Sequence, residues 1–135
     1  MKLTLDLATL EGIARAQARK GVRSAVGQGV AILRGDILSR PGGGRIYGRR
    51  KHRASAPGEP PAVDTGNLRN HIEGNEPGVL SDGTVLGRIV ANTEYAEALE
   101  VGTERMAARP YLSRLFDEHA PALLEAFWSG AKSAD

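Results

Sequence analysis

Residues able to do chemistry are few in this 135-residue chain, and they are scattered. There is no cysteine, which removes disulfides, thiolate catalysis and Cys-ligated zinc. Of the three histidines, His52, His71 and His119, no two have the spacing of a helical metal motif. They read as surface or loop histidines, with no metal and no cofactor expected. Ser55, Ser81 and Ser113 stand outside any G-x-S-x-G elbow. The run Gly42-Gly43-Gly44 lacks the Lys-Ser/Thr that completes a phosphate loop, and it follows a helix where a phosphate loop follows a strand. Two carboxylate pairs, Glu97 with Glu100 and Asp117 with Glu118, fall at helical positions expected to face water. A nucleophile, a base and an oxyanion donor never come together, so the chain is not expected to be an enzyme.

The other chemical signal is charge. There are 18 basic and 16 acidic residues, a net +2, but the distribution is polarised. Arg45, Arg49, Arg50, Lys51 and Arg53 put five positive charges into nine residues and leave the remainder net acidic. Such a stretch can contact phosphates. In a Gly/Pro-rich segment it more often serves as a solvated tail or as a docking arm for an acidic partner. Apolar residues at 41% and charged residues at 25% suit a globular protein. Aromatics at 4% leave a thin core of Leu, Val, Ile and Ala. The length suits a single domain spanning 1–135. No apolar run approaches the roughly 18–20 residues that cross a bilayer, so no membrane partner is expected. An acidic residue, Asp6, interrupts the stretch where a signal peptide would be apolar, so secretion is not expected.

These residues need elements to hold them. Leu10, Ile13, Val22, Val26, Val30, Leu33 and Ile37 recur at three- and four-residue steps or their multiples and predict a long helix from about Thr9 to Leu38. Glycines 12, 21, 27, 29 and 35 weaken it by about 1 kcal/mol each relative to Ala. Either another element packs closely on it, or it breaks near Gly27-Gln28-Gly29. Gly21, Ala25 and Gly29, four apart, either admit a close neighbour or are merely tolerated. Residues 39–66 hold four of the seven prolines and show no helical or strand periodicity; they predict a long extended arm, mobile in the isolated protein. Leu68 and Ile72 lie on one side of an alternating segment, Asn67–Glu73. Val79-Leu80 and the turn Ser81-Asp82-Gly83 follow, and Thr84–Ala91 is the best strand. Two or three antiparallel strands in meander order result. A short helix, Glu94–Val101, with Thr93 as its cap, ends at Gly102-Thr103. Pro110 starts the last helix, whose stripe is Leu112, Leu115, Phe116, Leu123, Leu124 and Phe127. Pro121 should kink or interrupt it. The expected fold is α+β: a long N-terminal helix, a small antiparallel sheet, a short helix and a C-terminal helix, with both long helices on one face of the sheet.

Two phrases carry more than local structure. One runs from Ala56 to Arg69 and contains Pro57, Gly58, Pro60, Pro61, Asp64, Thr65, Gly66 and Leu68. The other contains Tyr95, Leu99, Glu100, Gly102 and Thr103, followed by Arg109, Pro110, Tyr111 and Leu112. Together they resemble the head–tail connector (neck or tail-completion) proteins of long-tailed bacteriophages, in which a "PG-PP-D-TG-L" segment precedes the first strand and a "YA-LE-GT" helix leads to an "ARP-L" helix start. The match runs in order from Pro57 to Leu112. Asn67 departs from it, as does the basic run Arg45–Arg53.

The physical work of these phrases is punctuation. Asp64 or Thr65 can bond nearby backbone and Gly66 can take a positive φ, turning the arm into the sheet. Gly102 can end its helix in the left-handed conformation, and Arg109 can bind carbonyls or a carboxylate such as Glu100. The resemblance implies a structural virion protein: a homo-oligomeric ring, a hexamer or, nearer the portal, a dodecamer, joining the DNA-filled capsid to the tail tube. Implied partners are other connector proteins, the tail-tube or tail-terminator protein, and DNA passing through the lumen. The implied location is the virion neck, and the host cytoplasm during assembly. The alternative is a small DNA-binding or packaging accessory protein using residues 45–53.

Overall fold

A computed structural model describes residues 2–6, 15–40, 42–44, 46–47, 52–53, 56–61 and 67–133. Strand β1 (Lys2–Asp6) is followed by helix α1 (Arg15–Gly35) and a 3-10 turn at Ile37–Ser39. Next come the two-residue strands β2 (Ile46–Tyr47) and β3 (His52–Arg53), a helical turn α2 (Asn67–Asn70), and strands β4 (Ile72–Val79) and β5 (Val85–Ala91). Helices α3 (Ala96–Val101) and α4 (Leu112–Lys132) complete the chain. The architecture is α+β, with both long helices on one side of an antiparallel sheet.

That sheet is three-stranded in the order β1-β5-β4. Only β4 and β5 form the expected hairpin, closed by Ser81-Asp82-Gly83: Gly83 N–H donates to Leu80 O, Asp82 Oδ1 accepts from Thr84 N–H, and Gly83 has φ +91°. The third strand comes from the N-terminal segment, pairing Lys2 with Val90 through Asp6 with Leu86, so the order is not a simple meander. The sequence reading passed over β1, although Leu3 and Leu5 alternate with Lys2, Thr4 and Asp6 in a period of two. Residues 67–70, read as the start of a strand, form a helical turn instead, and His71 N–H donates to Leu68 O at 3.1 Å.

Helix α1 does not break at its glycines. A Cβ on Gly21 would lie 2.6 Å from Phe127 Cε2 and 2.8 Å from Phe127 O, and one on Gly130 would lie 2.8 Å from Lys20 O. The two helices meet almost backbone to backbone, and packing offsets what the glycines cost in propensity. A Cβ on Gly29 would lie 2.7 Å from Ile89, 3.2 Å from Leu115 and in ordinary contact with Leu123, so α1, β5 and α4 converge there. Gly74 and Gly87 leave room for Val26 and Val22 in the same way. Val22, Leu33, Ile37, Ile72, Ile89, Leu115 and Phe127 are all essentially inaccessible. Of the expected helix start, residues 9–14 lie outside the described residues.

Strand β4 is an edge. Its register shifts between Asn75 and Gly78, around Pro77, where a bulge tolerates the missing donor. Two arginines of α1 hold the bulge: Arg19 donates to Pro77 O at 3.3 Å, and Arg23 binds the Glu76 carboxylate at 2.7–3.2 Å. Helix α4 runs on through Pro121. Pro121 and Asp117, whose carbonyl loses its helical donor, are both exposed, so water can serve that carbonyl. Within the expected arm, β2 and β3 pair Ile46 with Arg53 and Tyr47 with His52, a short ladder that the periodicity did not show.

Candidate functional site

The described part of residues 56–68 and the later phrase converge on the start of α4. Glu100, expected at a water-facing position, is instead 7% exposed. Its Oε2 accepts the backbone N–H of Tyr111 at 2.7 Å and of Leu112 at 2.9 Å, and its Oε1 accepts that of Ser113 at 2.9 Å. The first donors of α4, orphaned in any helix, are thus served by one carboxylate from α3, which also complements the helix dipole. Burial alone would raise the Glu100 pKa. Bonds from the Tyr111 N–H, from the Ser113 hydroxyl and N–H, and from the Leu112 N–H outweigh it and hold the carboxyl below its ordinary value. Tyr111 is buried, donates its hydroxyl to Ala96 O at 3.0 Å, and has its phenol pushed up by burial and by the Glu100 charge.

Gly102 has φ +79° and ψ 175°. The positive φ is as expected, but the region is the extended glycine-only one and not the left-handed helical one. A Cβ there would lie 2.9 Å from both Ala108 N and Met106 O. Thr103 and Met106 exchange backbone bonds, and Arg109 N–H donates to Leu99 O at 2.6 Å. The Arg109 guanidinium goes to the Ala107 carbonyl at 3.1 Å, so of its two expected partners it takes a carbonyl, while Glu100 is committed to the helix. Thr93 does not cap α3: its hydroxyl is buried without a hydrogen-bond partner, and the capping position is Tyr95. Tyr95 instead accepts from Asn67 Nδ2 at 2.6 Å through its hydroxyl, linking the two phrases a second time.

The first link is at Gly58, whose N–H donates to Ala108 O at 3.0 Å and whose carbonyl accepts from Arg114 of α4 at 2.5 Å. Pro60 is buried. The Glu59 carboxylate accepts from Ala56 N–H at 2.7 Å and Gly43 N–H at 2.9 Å, clasping the two stems of the intervening segment. Those two N–H groups hold its pKa below the ordinary value. Leu68 is buried in the core. Asp64, Thr65, Gly66, Arg45, Arg49, Arg50 and Lys51 lie outside the described residues, and of Arg53 only the backbone in β3 is described.

A surface network continues from Arg114. Arg114 binds Glu118 at 3.0 Å, Glu118 binds Arg40 at 2.5 Å, and Arg40 binds Asp36 at 3.0 Å; His119 Nε2 lies 3.1 Å from Asp36. Arg40, then Arg114, hold Glu118 down to about 2. Asp36, Glu118 and His119 offer metal-type atoms within 4.8 Å of one another, but Arg40 bridges the two carboxylates and Arg114 also binds Glu118, so the two guanidinium groups together balance the two negative charges. Two of its pairs, Asp36 with Arg40 and Arg114 with Glu118, stand four apart; the sequence could not show that the two pairs meet, because Arg40 and Glu118 are far apart in the chain.

Among the described residues, no helix is long and apolar enough to cross a membrane. No protein-family model, curated protein or solved structure matches the chain.

Proposed function

We propose that this chain is a ring-forming structural subunit of the head–tail connector of a long-tailed bacteriophage, a neck or tail-completion protein acting between the DNA-filled capsid and the tail tube. The observation that carries the reading is the meeting of its two phrases. Gly58 bonds Ala108, Asn67 bonds Tyr95, and Glu100 caps the helix that follows Arg109-Pro110. These residues serve one construction, a junction that ties residues 56–61 and Asn67 to α3 and the start of α4. In this reading the chain works by contact, without catalysis or cofactor, as a hexamer resident in the virion neck.

The test is a nonsense mutation of the reading frame in the phage or prophage that carries it, with particles viewed by negative-stain microscopy. The expected result is DNA-filled heads and finished tails that do not join. Infectious particles without the protein would overturn the reading, and empty heads would move the chain to packaging.

A further inference from the structure

Two exposed patches, one on α4 and one at the β4 edge of the sheet, have complementary character. On α4, the buried positions Leu112, Leu115, Leu123, Phe127 and Ala131 face inward, which turns Leu124 outward, 50% exposed. Ala120 and the half-buried Trp128 stand one turn to either side of it. Asp117, two turns earlier on the same side, and Glu125, next in the chain, are both exposed. Neither side chain makes a hydrogen bond or ion pair among the described residues. The patch is an apolar knob beside two uncommitted negative charges.

The other patch lies across the sheet. Val85, Gly87, Ile89 and Ala91 are buried on the helix side, so Leu86, Arg88 and Val90 fall on the other face, which no described helix covers. Where β4 bulges, a depression of about 170 Å³ is lined by Val79, Leu80 and Leu86 together with Glu76 and Arg88. Val79 and Leu80 are 40% and 46% exposed, a conspicuous apolar display at the end of an edge strand. Glu76 is already neutralised by Arg23. The Arg88 side chain makes no hydrogen bond or ion pair among the described residues, so the uncommitted charge here is positive. A cavity of about 150 Å³ accepts a benzene ring, so this one has room for a leucine side chain.

We infer that the depression receives Leu124 of α4 from a second copy of this chain, with Asp117 and Glu125 of that copy placed against Arg88. Knob and depression are different surfaces, and the proposed contact is heterologous: each copy's knob enters one neighbour while its depression receives another's. It leaves one free knob and one free depression at every stage until the array closes. Closure as a ring rests on the connector reading above; the contact itself rests on these residues.

The absence of cysteine makes a clean test. A chain carrying both Val79→Cys and Leu124→Cys, oxidised at high protein concentration, should give a ladder of disulfide-linked oligomers on a non-reducing gel. Either single variant should stop at dimers. Far-UV circular dichroism of each variant should match the wild type, since both positions are exposed. Adding Arg88→Glu should lower ladder yield at least about tenfold through like-charge opposition, and adding Asp117→Arg with Glu125→Arg to that chain should restore it. A double-cysteine chain that yields no more than dimers overturns the contact, as does a ladder indifferent to Arg88→Glu. The outcomes separate from those of the nonsense mutant. Unjoined heads and tails with no ladder would sink this contact and keep the connector reading. A ladder with infectious null particles would do the reverse.

Discussion

Glu100 and Glu118 are both glutamates at helix surfaces in the sequence, and the fold treats them in opposite ways. Glu100 is taken out of water and given three backbone donors, which have no other partner if it leaves. Glu118 stays at the rim with its side chain about a third exposed and is given two guanidinium groups, which water can solvate in its absence. Both have lowered pKa values, so the titration shift alone does not tell them apart. What separates them is what remains behind. Removing a buried acceptor strands its donors, at about 1–3 kcal/mol for each unsatisfied group, while an exposed ion pair contributes about 0–1 kcal/mol.

The largest expected effect follows from this. Glu100→Ala should destabilise the chain by about 3 kcal/mol or more by stranding the N–H groups of Tyr111, Leu112 and Ser113. Urea unfolding would measure it, and a loss below about 1 kcal/mol would mean that water enters the junction and the comparison fails. Next is Gly21→Ala, whose new methyl meets the Phe127 carbonyl at 2.8 Å; a backbone clash of this kind should cost about 1–3 kcal/mol, against the roughly 1 kcal/mol gain that propensity alone would give. A net stabilisation would show that the helices part easily.

Acid sharpens the comparison. Glu100, Glu118 and Asp36 all bind protons less readily when folded than when unfolded. Their contribution is therefore fully present above the ordinary carboxylate range and is lost as pH falls. Thermal midpoints should be level between about pH 7 and 5, then drop from about the ordinary glutamate value of 4.5 towards about 2, where Glu118 takes its proton. In Glu100→Gln the drop should shrink, and an unchanged acid profile would remove Glu100 from it. The smallest effect belongs to Arg40→Ala: no more than about 1 kcal/mol, fading in high salt. A loss as large as that of Glu100→Ala would place the surface network among the determinants of the fold.

The elements with strong local signatures were legible in the sequence. Val85–Ala91 is β-branched and alternating, and the apolar stripes of α1 and α4 set both long helices. The small-residue row Gly21, Ala25 and Gly29 was ambiguous by itself, because only a partner can tell tolerance from close approach; Phe127 against Gly21, and Leu115 with Ile89 against Gly29, supply that partner. What stayed hidden was long-range. Nothing near Glu100 announces that its acceptors will meet donors eleven to thirteen residues on, and helical spacing alone put it at the surface. Asn67–Asn70 misled because Leu68 and Ile72, four apart, suit a helical turn as well as one side of a strand.

The pairing of β1 with β5 also has a consequence in time. On a ribosome β1 is made first, yet its only paired partner among the described residues is β5. At about 5–20 residues per second, translation of the stretch between Asp6 and Leu86 takes on the order of 4–16 s. For that interval the nascent chain carries an unmatched strand, and the β4–β5 hairpin can close before β1 docks on it. Until β5 is made, β1 stays open to pairing with another nascent chain.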